Sequence, residues 1–225
     1  MNFKNVMSIK ENIHHIKALL PEHVTLVAVS KTKPVEDLLE AYQAGQRIFG
    51  ENKIQEMVSK YETMPKDIQW HMIGHVQKNK VKYMAPFVSL IHGVDNFKLL
   101  EEINKQAQNN HRTIDCLIQI KIATEDSKFG MTPSDATSLL QSDEFSKLKN
   151  IRITGLMGMA TFTEYENQIK AEFTYLKTVF DKFKIQNSEF KILSMGMSGD
   201  YPLAITCGST MIRIGSSIFG NRNYS

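Results

Sequence analysis

Residues 24–34 read Val24-Thr25-Leu26-Val27-Ala28-Val29-Ser30-Lys31-Thr32-Lys33-Pro34. A largely apolar run gives way to four polar residues, and Pro34 then opens a helical pattern over 35–44. A run this short without alternation of apolar and polar residues fits a strand buried on both faces, as in a parallel sheet. The unit is therefore strand, polar turn, helix. Working outward, the same unit recurs. Further strand candidates are 47–50, 70–74, 88–92, 114–122, 151–157, 190–194 and 211–214. Helical stretches separate them at 53–61, 78–84, 97–108, 134–141, 164–183 and, briefly, 202–207. An additional helix over 4–19 precedes the first strand, with Ile9, Ile13, Ile16, Leu19 and Leu20 on one face. About eight strands alternating with helices predict an α/β fold, a single (β/α)8 TIM barrel covering residues 1–225. An open doubly wound sheet has the same periodicity and is the rival architecture.

The 225 residues are enough for one large domain with its own core, and no Pro/Gly-rich linker divides them. The 27 basic and 24 acidic residues nearly balance. The one concentrated basic stretch, 78–82, lies near Lys60 and Lys66 in sequence and reads as a solvated helix face, not as a nucleic-acid stripe. Apolar runs are too short to span a bilayer, and the polar start of the chain is no signal peptide. Cys116 and Cys207 form no ligand or disulfide spacing. The expectation is a cytoplasmic protein that binds neither nucleic acid nor membrane.

In a parallel barrel the functional side chains gather where strands end. Lys31 directly follows an apolar strand. Partial desolvation and the like charge of Lys33 would favour its free amine, the form that condenses with a carbonyl. On position alone, a rim lysine reaching solvent is the simpler account. The second feature is a pair of late turns, SMGMSGD (194–200) and RIGSSIFG (213–220). Backbone N–H groups beside Gly196, Gly199 and Gly215, with the hydroxyls of Ser194, Ser198 and Ser216, suit a phosphate dianion. Asp200 would repel that anion unless it caps the next helix. His71 and His75 straddle a strand end without a carboxylate in metal register. The 164–183 helix reads as barrel packing through Phe173, Leu176, Val179, Phe180 and Phe183.

Taken in order, VAVSKTKP (27–34), FGEN (49–52), Ile73–Gly74, Ser127–Lys128, Gly155–Met157, SMGMS (194–198) and Arg213–Gly215 resemble the pyridoxal 5′-phosphate homeostasis proteins, the YggS/PROSC family. That family is similar to the N-terminal barrel of alanine racemase. The resemblance covers nearly the whole chain. It implies pyridoxal 5′-phosphate as cofactor, carried as a Schiff base on Lys31. It further implies that Ser198, Gly215 and Ser216 hold the phosphate and that Arg213 faces the pyridine nitrogen. Asn52 would lie near the ring or its hydroxyl, and Met197 would pack beside the phosphate turn. Lys128 matches a family lysine near the cofactor without a settled role, and His75 occupies a variable position.

An arginine at the ring nitrogen leaves that nitrogen unprotonated and weakens the ring as an electron sink. The chain is therefore expected to be a non-catalytic carrier or buffer of the cofactor, with PLP-dependent apo-enzymes as recipients. A weak amino-acid racemase is the alternative; such an enzyme takes its second acid/base from a further β domain, and this sequence stops just past the eighth strand candidate. That ending also argues for a monomer, and Tyr201 and Tyr224 are unsupported substitutes. A Schiff-base aldolase using Lys31 without cofactor ranks last, because no partner acid/base is evident.

Overall fold

Pro34 sits in extended backbone at the N-cap of helix α2 (Val35–Gln43), and Glu36 and Asp37 fall in its first turn. The acids meet the positive end of the helix dipole, and strand β1 (Thr25–Val29) must stop before the proline. A computed structural model describes residues 7–124 and 129–220. The unit repeats as β2 (Ile48–Glu51) and α3 (Ile54–Thr63), then β3 (Gln69–Met72) and α4 (Val81–Met84). Next come β4 (Val88–Val94) with α5 (Phe97–Asn109), and β5 (Ile114–Gln119) with α6 (Pro133–Leu140) and α7 (Asp143–Ser146). The last three units are β6 (Ile151–Met157) with α8 (Glu166–Gln186), β7 (Ile192–Met197) with α9 (Tyr201–Thr206), and β8 (Met211–Ile214) with α10 (Ser216–Phe219).

All strands pair in parallel in chain order, and β8 returns to β1 through Thr25↔Met211 to Ala28↔Ile214. That closure decides for the (β/α)8 barrel and against the open sheet. Alternation along the strands divides the core. Val27, Leu90, Leu117, Met157 and Met211 pack together inside the barrel. Their neighbours, such as Leu26, Ala28, Phe49 and Trp70, face the surrounding helices. The apolar positions of α8 named from the sequence are all buried, and Phe183 and Phe190 stack with ring centroids 5.6 Å apart.

Several boundaries differ from the sequence reading. The first helix, α1, runs over Ile9–Leu19, because Ser8 and Glu11 form a reciprocal capping box that fixes its start; residues 4–6 lie outside the described residues. The 78–84 helix begins as a 3-10 turn, Lys78–Lys80. The fifth strand ends at Gln119, and Ile120 makes only an isolated bridge to Met131. The seventh starts at Ile192, two residues late, and reaches Met197. Helices α7 and α10 have four residues each, too short for periodicity to reveal. Lys78 and Lys82 are exposed as expected, but Lys60 is buried. Among the described residues, no helix is long and apolar enough to cross a membrane.

Gly155 marks the tightest seam. A Cβ there would lie 1.8 Å from the carbonyl oxygen of Ile192, its partner on β7. Gly155→Ala must push β6 and β7 apart and should cost at least about 1–3 kcal/mol, the range for overpacking a core. Urea unfolding with an unchanged midpoint would contradict this.

Candidate functional site

The carboxyl ends of the strands surround one cleft of about 600 Å³. Lys31, Asn52, Met197, Ser198, Arg213, Gly215 and Ser216 all line it, so residues up to 185 positions apart in sequence meet there. Lys33, Gly199 and Asp200 border the same wall, while His75, Phe129 and Thr161 form the opposite one.

A buried polar cluster outside the barrel fixes the turn that presents Lys31. Just past β1, Ser30 is buried while the next residue, Lys31, lines the cleft. Ser30 is fully buried, and its hydroxyl donates to Glu51 Oε1 at 2.6 Å. Lys60 Nζ, from α3, donates to the Ser30 carbonyl (2.7 Å), to Glu51 Oε1 (2.8 Å) and to Glu56 Oε1 (2.7 Å). Glu56 Oε1 also accepts from the backbone N–H of Thr32 at 2.5 Å. Thr32 has φ +63°, a left-handed conformation that a non-glycine residue adopts at some cost. The cluster holds that strained residue, and with it the preceding lysine. Lys33 Nζ donates to the Phe219 carbonyl at 2.7 Å and ties the turn to α10. Burial raises the Glu51 carboxyl pKa, and the adjoining Lys60 opposes the shift.

Beneath the cleft, a polar layer crosses the barrel interior. Arg213, only 4% exposed, donates from Nη1 to Ser194 Oγ at 2.7 Å and from Nη2 to the Gly158 carbonyl at 3.3 Å. Ser194 Oγ lies 3.1 Å from His92 Nδ1, and His92 Nε2 lies 3.1 Å from His71 Nδ1. Burial pulls the Arg213 pKa down to about 10, with Asp200 pulling the other way, so the guanidinium stays charged at neutral pH. Burial lowers His71 to about 3. It also takes His92 well below the ordinary histidine value, helped by His71 and the positive Arg213. Both rings are neutral. Ser194 therefore serves Arg213 and lies below the cleft, not among phosphate ligands as the sequence suggested.

The two late turns do meet. The N–H of Gly215 donates to Ser198 Oγ at 3.2 Å. Asp200 does not cap α9 with its side chain; its Oδ1 turns back to accept from the Met197 N–H at 2.6 Å. Gly196, at φ +98°, is required by α9, since a Cβ would come 2.7 Å from Ala204 Cβ. Asn52 Oδ1 is buried at the cleft with no hydrogen-bond partner among the described residues. On the far wall, His75 stacks on Phe129 with centroids 4.3 Å apart, and its Nδ1 lies 3.5 Å from Asp95 Oδ2. The buried Glu172 of α8 accepts from the Thr161 N–H and hydroxyl at 2.7 and 2.6 Å, so that helix shapes the wall as well as packing the barrel. Ser127 and Lys128 lie outside the described residues.

The roles of Glu51, Lys60, His71, His92 and Glu172 escaped sequence reasoning. One signal was available: His92 interrupts the apolar run SLIHGV, and a polar side chain inside a buried strand requires a partner.

The neutral histidines set a pH dependence. Unfolded, each titrates near 6.5; folded, each stays neutral to much lower pH. The unfolded chain thus binds more protons, and stability falls as pH drops below 6.5, by up to about 1.4 kcal/mol per pH unit for each ring. For His71 the loss ends near pH 3. Urea unfolding at pH 7 and pH 5 should show the acid loss, and equal stabilities would contradict it.

The family described as alanine racemase, N-terminal domain, matches residues 5–223. The pyridoxal phosphate homeostasis protein of Vibrio alginolyticus is 42% identical over 234 residues, covering 97% of this chain and 99% of that protein. That of Escherichia coli K12 is 38% identical over 210 residues, covering 91% and 88%. PipY of Synechococcus elongatus PCC7942 is 34% identical and covers 95% of this chain and 100% of PipY; the TM-score is 0.89 to its structure without PLP and 0.85 to that with PLP bound. Alanine racemase from E. faecalis, at 17% identity, shares the fold alone, with TM-score 0.73 over 95% of this chain and 58% of that one. With identities of this size along almost its full length, the chain belongs to the pyridoxal phosphate homeostasis protein family.

Proposed function

We propose that this protein binds pyridoxal 5′-phosphate in the cleft at the strand ends and holds it on Lys31 as a Schiff base, as a carrier or buffer of the cofactor and not as an enzyme. The observation that carries the reading is the convergence on one cleft of an amine, Lys31, a buried cation, Arg213, and the joined turns of Ser198 and Gly215. The relatives' names and the PLP-bound PipY structure support it.

The residues fit the group. Asn52 Oδ1 is a buried acceptor without a donor among the described residues, and the ring hydroxyl of the cofactor is one. Lys33 and Arg213 set two cations against the Asp200 carboxylate, one of whose oxygens is already engaged by Met197 N–H. That balance suits a phosphate dianion at Ser198, Gly215 and Ser216, with Met197 packing beside them. When bound, the cofactor supplies an aldehyde that condenses with a primary amine and a ring able to withdraw electrons. Lys31 provides the amine, and the Ser30–Glu51–Lys60–Glu56 cluster keeps it directed into the cleft. Arg213 would donate to the ring nitrogen and, being protonated, would leave no proton there, which disfavours transamination and decarboxylation and suits storage. In this reading the protein is a cytoplasmic monomer that hands the cofactor to PLP-dependent apo-enzymes.

Titration with pyridoxal 5′-phosphate should produce a saturable visible absorbance band. Pyridoxal, lacking phosphate, should bind roughly 10–100-fold more weakly, the factor for losing hydrogen bonds to a charged group. The Ser198→Ala/Ser216→Ala variant should lose most of that discrimination. Equal affinity of the wild type for both compounds would contradict the assigned phosphate site. Amino acids incubated with the loaded protein in deuterium oxide should keep their α-hydrogen. Rapid exchange would instead establish a racemase-like activity.

A further inference from the structure

Arg213 is a buried cation whose hydrogen-bond partners among the described residues are two neutral oxygens, Ser194 Oγ and the Gly158 carbonyl. Burying a cation without a contacting carboxylate is costly, so the surrounding dipoles must supply the compensation. The geometry permits only one orientation that does so. A guanidinium donates and never accepts, hence Ser194 Oγ must accept from it. The serine has one proton to place, and its other partner is His92 Nδ1 at 3.1 Å. That nitrogen then accepts, and the proton of the neutral ring sits on Nε2, from which it donates to His71 Nδ1 at 3.1 Å. His71 in turn carries its proton on Nε2. The reverse orientation would leave the buried Ser194 hydroxyl proton without an acceptor among the described residues.

We propose that Ser194, His92 and His71 act as a neutral counter-dipole to Arg213, a one-directional hydrogen-bond chain whose acceptor ends all face the guanidinium. The three are positioning residues: they stabilise and anchor the cation from below without neutralising it. A carboxylate in their place would cancel the charge seen from the cleft. Asp200, the acidic group that pulls on Arg213 electrostatically, lines the cleft wall and has one oxygen engaged by Met197 N–H. The floor of the cleft therefore presents a positively charged donor to whatever aromatic nitrogen or anion lies above it. For its effect on ligand binding, the inference rests on the proposed cofactor site; the proton arrangement itself does not.

Two measurements separate these. Imidazole ¹⁵N NMR of the protein with no ligand added should show His71 and His92 each with Nδ1 bare and Nε2 protonated at pH 7, and Arg213→Met should lose that single tautomer. A protonated Nδ1 on His92, or the same tautomers in the Arg213→Met variant, would overturn the proposal. In the second arm, His92→Leu cuts the chain, while His92→Gln can accept through its amide oxygen and donate through its nitrogen. The leucine variant should bind pyridoxal 5′-phosphate roughly tenfold or more weakly with a displaced absorbance band, and the glutamine variant should stay within about threefold of wild type. A leucine variant equal to wild type, or a folded glutamine variant as weak as leucine, would refute the coupling. If the wild type takes up no cofactor, the proposed function fails while the NMR result still decides the chain.

Discussion

The ammonium of Lys60 is the constraint on which the site depends. It is buried between the barrel wall and α3, and its three acceptors come from the end of β1, the end of β2 and α3 itself. Through Glu56 it reaches the N–H of Thr32, the residue held at positive φ. A buried ion pair adds little net stability, because desolvation offsets most of its attraction. What it adds here is position. Strand β1 ends just before the buried Ser30, and the next residue, Lys31, lines the cleft. Removing either charge would strand its partner in the interior, so the arrangement is maintained all at once or lost.

The barrel interior is layered in the same logic. An apolar plug of Val27, Leu90, Leu117, Met157 and Met211 packs one layer. Arg213, Ser194, His92 and His71 form a polar layer beneath the cleft. Each neutral ring is kept so by burial, and the one permanent charge faces the ligand space. A cation that cannot release its proton is a poor partner for chemistry that needs a protonated ring, and a good one for holding that ring. Under the proposed function, the layer that this charge occupies is what suits the protein to holding the cofactor.

Much of this architecture was legible from residues. The largely apolar runs at 24–29, 151–157 and 211–214 marked strands to within a residue, because a strand packed between the barrel interior and the helices is mostly apolar. Lys31, Asn52, Arg213 and the two late turns were found because strand ends collect function in a parallel barrel, and a family resemblance assigned their roles. What remained hidden depended on contacts between distant segments. Lys60 looked like one of several surface lysines until α3 placed it against β1 and β2. Ser194 seemed an anion ligand because strand register, which decides whether a hydroxyl lies in or below the cleft, cannot be read from a turn's composition. Asp200 was read as repelling a phosphate unless it capped the next helix; it stands at the N-cap of α9, but its side chain accepts from the Met197 N–H of its own turn. Short helices such as α7 and α10 carry too few residues for a period to emerge.

The central claim is that one amine, at position 31, bonds covalently to the cofactor aldehyde. Reducing the protein with borohydride in the presence of pyridoxal 5′-phosphate, then mapping the pyridoxyl mass by peptide sequencing, tests it directly. The account predicts stoichiometric label on the peptide containing Lys31 and none in a folded Lys31→Ala protein. Label on a different lysine, or undiminished label in that variant, would contradict it.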